Sequence, residues 1–158
     1  MKYDIKIDEY GAKRYYVNNI LHREDGPAIE LEDGTKKWYI NGKLHREEGP
    51  ACEYASGMKE WYKNGKRHRE GGPAIEYANG DKFWYKNGAP HREDGPACVY
   101  ADGTKSWYKN GKLHREDGPA IEYYSGNKSW YLNNTHYGID DKFTNQSWKT
   151  FIRTLIFS

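Results

Sequence analysis

His22-Arg23-Glu24, His45-Arg46-Glu47, His68-Arg69-Glu70, His91-Arg92-Glu93 and His114-Arg115-Glu116 set an imidazole, a guanidinium and a carboxylate side by side five times in one chain. Such a trio suggests acid/base catalysis, a metal site or anion binding, and each fails on spacing or context. Catalysis needs a nucleophile or a paired carboxylate in a cleft, and identical copies of a catalytic trio have no rationale. Two ligands of one zinc must each come within ~2.1 Å of it. Equivalent histidines two strands apart are separated by about 9–10 Å, and a His with a Glu from its own copy makes a site of only two ligands. The five arginines, with the Lys36-type lysines and the tyrosine rows, resemble a stacking surface for single-stranded nucleic acid, yet a glutamate directly follows every Arg. The trio therefore reads as structural. Arg–Glu/Asp pairs, each worth about 0–1 kcal/mol at a surface, brace a turn, while His packs on Trp with its second nitrogen on backbone. No catalytic residue, no metal and no cofactor is expected.

The trios recur every 23 residues without insertion or deletion, in the copies LHREDGPAIELEDGTKKWYING, LHREEGPACEYASGMKEWYKNG, RHREGGPAIEYANGDKFWYKNG, PHREDGPACVYADGTKSWYKNG and LHREDGPAIEYYSGNKSWYLNN. Trp38, Trp61, Trp84, Trp107 and Trp130 keep the same register. A fixed period of this kind marks a repeat architecture, in which each unit buries its apolar face against its neighbours.

Two short runs alternate within each copy. PAIEL or PAIEY opens on Pro, which suits a strand start, and ends at Asp33-Gly34, Ser56-Gly57, Asn79-Gly80, Asp102-Gly103 or Ser125-Gly126, each taken as a two-residue hairpin turn. The KxWY run ends at Asn41-Gly42, Asn64-Gly65, Asn87-Gly88 or Asn110-Gly111, the strongest short hairpin signal. This pairing sets Ile29 opposite Trp38, Glu30 opposite Lys37 and Ala28 opposite Tyr39, and the Asn-Gly turn sets His45 opposite Trp38. One face then carries an Ile/Cys–Trp–His stripe, the other Ala, Tyr and charged pairs. The expected fold is all-β: a single-sheet antiparallel β-hairpin repeat meander of about twelve strands, twisted as sheets must be, with a short C-terminal capping α-helix. The repeat array spans 1–136, with a degenerate first hairpin over 4–16, and the capping segment spans 137–158. In the last linker Asn133-Asn134 replaces Asn-Gly and His136 falls one place out of register. Thr144 or Asn145 caps the helix, and Trp148, Phe151, Ile152, Leu155 and Ile156 recur at i, i+3, i+4, i+7 and i+8. That stripe is expected to cover the last hairpin. A membrane-surface helix is the alternative, but its polar face carries only Lys149 and Arg153, where such helices are rich in basic residues.

At 158 residues with a net charge of +2 and interleaved signs, the chain lacks the segregated positive charge of a phosphate-driven nucleic-acid binder. Aromatics reach 16% while aliphatics are scarce, so burial must come from rings packed along a sheet. The TLIF stretch is too short to span a bilayer, and MKYDIKIDEY contains no apolar run resembling a signal peptide. Cys52 and Cys98 sit at one repeat position two copies apart, about 19 Å across four strands. A disulfide needs Cα atoms within ~7 Å. They stand where other copies have Ile29, Ile75 and Ile121, so they read as small buried hydrophobes in a reducing, cytoplasmic setting.

The 23-residue period, the aromatic hairpin and the Asn-Gly and Asp-Gly turns resemble MORN repeats, and HREDGPA…WYxNG looks like a variant found in phages, large DNA viruses and some bacteria. The resemblance covers roughly residues 4–136, and a helical tail is typical of the variant. Lys36-x-Trp38-Tyr39 and its equivalents stand where the usual MORN string is YxGEW. The resemblance implies the fold and no catalytic residue; lipid binding, scaffolding and antitoxin-like roles are attached to the family.

Copies that depart from their own consensus point to a contact. Phe83 stands where other copies have Lys37, Glu60, Ser106 and Ser129, and Val99 where they have Glu30, Glu53, Glu76 and Glu122. In the expected register both lie on one face beside Tyr85 and Ala97, with Arg67, Ala89 and Pro90 also breaking consensus nearby. Apolar residues grouped on a polar face suggest a protein contact; the alternative is that they pack only on each other or on the tyrosines. The expected function is a non-enzymatic protein-binding module with partner-binding residues Phe83, Val99, Tyr85, Arg67 and Pro90. In a viral setting it is an inhibitor gripping a host defence or regulatory factor in the host cytoplasm. The alternatives are a protein that sequesters a nucleotide or short nucleic acid on its aromatic and basic ladders, and a lipid-associated scaffold.

Overall fold

Both central residues of the Asn-Gly turns have positive φ, 50° at Asn41 and 74° at Gly42, which suits a two-residue hairpin with primed geometry. Tyr39 therefore pairs with Leu44 and Ile40 with Lys43, and the His45 N–H donates to the Trp38 carbonyl at 3.1 Å. The predicted register holds at these turns and recurs in the Tyr62↔Arg67 and Tyr108↔Leu113 pairs.

The Asp-Gly turns are different, and this corrects the predicted register. The Leu31 N–H reaches the Thr35 carbonyl at 2.9 Å and the Gly34 N–H the Leu31 carbonyl at 3.0 Å. Gly34 has φ +91°, and the Asp33 carboxylate accepts the Thr35 N–H at 2.8 Å. This is a three-residue loop closed by a glycine bulge. Tyr54–Met58, Tyr100–Thr104 and Tyr123–Asn127 close in the same way. The loop takes one more residue than predicted, so Ile29 pairs with Lys37 and Glu30 with Lys36. A one-residue slip sends every following side chain to the other face.

The structure, a computed structural model, describes residues 2–156. The chain forms two compact units, Met1–Asn79 and Gly80–Ser158. In the first, the antiparallel order is Asp4–Ile7, Lys13–Val17, Ile29–Glu30, Lys36–Lys37, Cys52–Glu53, Lys59–Glu60 and Ile75–Glu76. In the second it is Lys82–Phe83, Cys98–Val99, Lys105–Ser106, Ile121–Glu122, Lys128–Leu132 and Thr135–Ile139. The predicted hairpin meander is present, including the first hairpin. It is not one unbroken sheet, because the chain leaves the main sheet at each of Trp38, Trp61, Trp84 and Trp107. The Asn-Gly hairpins beyond them are separate two-stranded ladders. At the bend each indole residue's backbone N–H donates to an alanine carbonyl: Trp38 to Ala51 at 2.8 Å, Trp61 to Ala74 at 2.8 Å, Trp84 to Ala97 at 2.7 Å and Trp107 to Ala120 at 2.8 Å. Those alanines are fully buried.

The predicted helix spans Asn145–Ile156 (α1). Thr144 is its cap: the Ser147 N–H donates to Thr144 Oγ1 at 3.1 Å and the Thr144 N–H to Ser147 Oγ at 2.9 Å. Trp148 and Ile152 are buried on Trp130, with Leu132, Tyr137, Phe143 and Phe151 around them, as the apolar stripe predicts. Leu155 remains 42% exposed, and the side chain of Ile156 lies outside those described. Among the described residues no helix is long and apolar enough to cross a membrane.

Candidate interaction surface

The His-Arg-Glu trio is a brace between successive repeats. Each arginine lies over the aromatic residue eight positions earlier: Arg23 over Tyr15, Arg46 over Trp38, Arg69 over Trp61 and Arg115 over Trp107, each 3.9 Å from the ring centroid, and Arg92 over Trp84 at 4.2 Å. Its Nη1 donates to a proline carbonyl four residues on and, in four copies, to a glutamate seven residues on. These pairs are Arg23–Glu30 at 2.7 Å, Arg46–Glu53 at 2.8 Å, Arg69–Glu76 at 2.8 Å and Arg115–Glu122 at 2.7 Å. Stacked on a ring and clamped by carboxylate, such a guanidinium has little left to offer a phosphate.

The histidine's role matches the sequence reading in part. Nδ1 accepts a backbone N–H from the next Asn-Gly turn, from Asn41 to His22 at 3.1 Å, Asn64 to His45 at 3.0 Å and Asn110 to His91 at 3.0 Å. Nε2 meets the carboxylate two residues on, 2.9 Å away at both His45–Glu47 and His91–Glu93. The group on the indole is the arginine, which sequence reasoning missed; the constant eight-residue spacing from Trp to Arg is the signal that it carried.

Ladder pairs define two rows, one on each face. In the first unit one row reads Lys13, Glu30, Lys36, Glu53, Lys59, Glu76, alternating in sign at every step. The row on the opposite face reads Arg14, Ile29, Lys37, Cys52, Glu60, Ile75. In the second unit the corresponding rows are Lys82, Val99, Lys105, Glu122, Lys128 and Phe83, Cys98, Ser106, Ile121, Ser129.

Phe83 and Val99 therefore do not share a face, which corrects the patch expected from the sequence; the cause is the extra loop residue. Phe83 pairs with Cys98, and its ring meets Tyr100 edge-on, centroids 5.2 Å apart. Tyr85 stands directly opposite Pro90 and lies near Tyr100, with which it interacts electrostatically. Three of the expected residues thus come together, joined by Tyr100, which is 38% exposed. Arg67 has a partner of its own: its Nε and Nη2 donate to Glu60 at 2.9 and 2.8 Å. The Tyr54 hydroxyl donates to the other Glu60 oxygen at 2.8 Å. Glu60 in the second copy and Arg67 at the start of the third depart from the other copies together, a signal the sequence carried for the pair.

Cys52 and Cys98 are free and buried, 1% and 8% exposed. Burial pushes both thiols up to about 11. At pH 8 this leaves on the order of one part in a thousand as thiolate, the reactive form. The folded protein is expected to be inert to a thiol-specific disulfide reagent and to react at two sites after denaturation; rapid native reaction would contradict this burial. The sign follows for stability. Below the ordinary thiol value of 9.0 both states hold the proton. Between there and about 11 only the unfolded chain loses it, so stability falls as pH rises through that window.

Compared with protein-family models the chain matches none, and compared with curated proteins it has no significant match.

Proposed function

We propose that this chain is a non-enzymatic protein-binding repeat module, MORN-like in design, whose contact is the aromatic cluster where the third and fourth copies meet. One observation carries the reading: Phe83 meets Tyr100, which also neighbours the Tyr85–Pro90 pair, and Phe83 stands at a position that other copies fill with Lys37, Glu60, Ser106 and Ser129. Partly exposed aromatic groups of this kind bury large area at small entropic cost and dominate protein contacts. The repeated trio supports a binding role over an enzymatic one, since each imidazole and guanidinium is engaged in bracing the next repeat. Buried free thiols support action in a reducing compartment.

Affinity capture from the lysate of the native host, with the wild-type chain and Phe83→Glu as parallel baits, tests this. A stoichiometric protein captured by the first and lost at least tenfold on the second, with unchanged far-ultraviolet circular dichroism, is the expected result. Equal capture by both baits removes Phe83 from the contact.

A further inference from the structure

Four of the five arginine braces end on a glutamate of their own repeat, and the fifth ends on Val99. Arg92 keeps Asp94 on Nε at 2.9 Å, but among the described residues its Nη1 has only the Pro96 carbonyl, at 3.4 Å against 3.1–3.2 Å in the other copies. The guanidinium also sits farther off its ring, 4.2 Å against 3.9 Å. Val99 faces Lys82 on one side and Lys105 on the other, so the place of one anion in an alternating row is flanked by two ammonium groups and a guanidinium. The Arg92 side chain is 25% exposed, within reach of solvent.

We propose that Arg92, Lys82 and Lys105 form a notch that binds the carboxylate of an acidic side chain from a partner polypeptide, which completes the brace that Glu30, Glu53, Glu76 and Glu122 complete from within. The ligand class follows from those four copies, where a single carboxylate fills the same geometry. Glu93 and Asp94, 72% and 81% exposed beside Arg92, repel a doubly charged phosphate more than a singly charged carboxylate. The notch lies on the face opposite Phe83, so it stands or falls separately from the aromatic contact.

The test is a nuclear magnetic resonance titration of the full chain at low salt with acetyl-Gly-Glu-Gly-amide, with the Gln peptide and inorganic phosphate as comparisons. The Glu peptide is expected to shift the Arg92 Nε–H and the Lys82 and Lys105 signals saturably, and the Gln peptide to leave them in place. Val99→Glu, which restores the residue of the other copies, is expected to weaken that response at least tenfold. It is also expected to raise Tm by about 2 °C as the internal brace closes. Equal responses in Val99→Glu, equal shifts from the Gln peptide, absent shifts, or tighter binding of phosphate at the same signals would each overturn the assignment. Phe83→Glu should leave the titration unchanged.

Discussion

Trp148→Ala is expected to destabilise the protein by about 4 kcal/mol, the range for deleting a buried tryptophan, and to lower Tm by about 10 °C, the scale for a chain of this length. Trp148 is fully buried. Its ring lies 5.3 Å from Trp130 and 4.9 Å from Phe143, and its Nε1 donates to the Arg115 carbonyl at 2.9 Å. In earlier copies the indole is covered by the arginine eight residues on. For Trp130 that position is Gly138, and the helix supplies an indole instead. Loss of Trp148 thus uncovers the last rung of the array, which terminal repeats must not leave open. Thermal unfolding followed by near-ultraviolet circular dichroism reads the change. Trp148→Phe should recover most of it, lacking only the hydrogen bond. A drop below 1 kcal/mol for Trp148→Ala would mean that the helix does not cap the array.

The second large effect is expected at Arg67. Glu60 is 2% exposed, and Arg67→Ala strands its carboxylate with only the Tyr54 hydroxyl and a long 3.5 Å contact to Tyr62. The cost is about 3 kcal/mol, the scale for leaving a buried charge unpaired. Glu60→Ala leaves a cation that is 40% exposed and reaches water, so it should cost less than half as much. The double variant Glu60→Ser with Arg67→Leu reproduces the equivalent pair Ser106 and Leu113 two periods on and should approach wild-type stability, giving a strong coupling energy in denaturant titrations. Additive single effects would show that the two side chains do not act as a pair.

The sequence carried the Asn-Gly hairpins because two consecutive residues with positive φ admit few alternatives. The helix was legible too, since Thr144, Ser147 and the spacing of Trp148, Phe151 and Ile152 speak through local geometry alone. The Asp-Gly loops were not. Asp-Gly serves a two-residue turn, and it also serves a three-residue loop in which only Gly takes positive φ and Asp binds the backbone two residues on. Local residues do not separate the two, and the difference of one residue decides which face every later side chain occupies. This is why Phe83 and Tyr85 stay together while Val99 moves to the opposite face. The Arg–ring stacking was hidden for another reason: it joins neighbouring repeats, and charge complementarity within one copy already satisfied the arginine on paper.

Site-specific photo-crosslinking tests the central claim most directly, with p-benzoylphenylalanine replacing Phe83 in one bait and exposed Glu9 in another. Since an aromatic group is kept at position 83, the expected result is one covalent adduct with a single captured protein at position 83 and none at position 9. Adducts of equal yield at both positions, or no adduct at position 83 while the partner is still captured, would contradict an aromatic contact centred on Phe83.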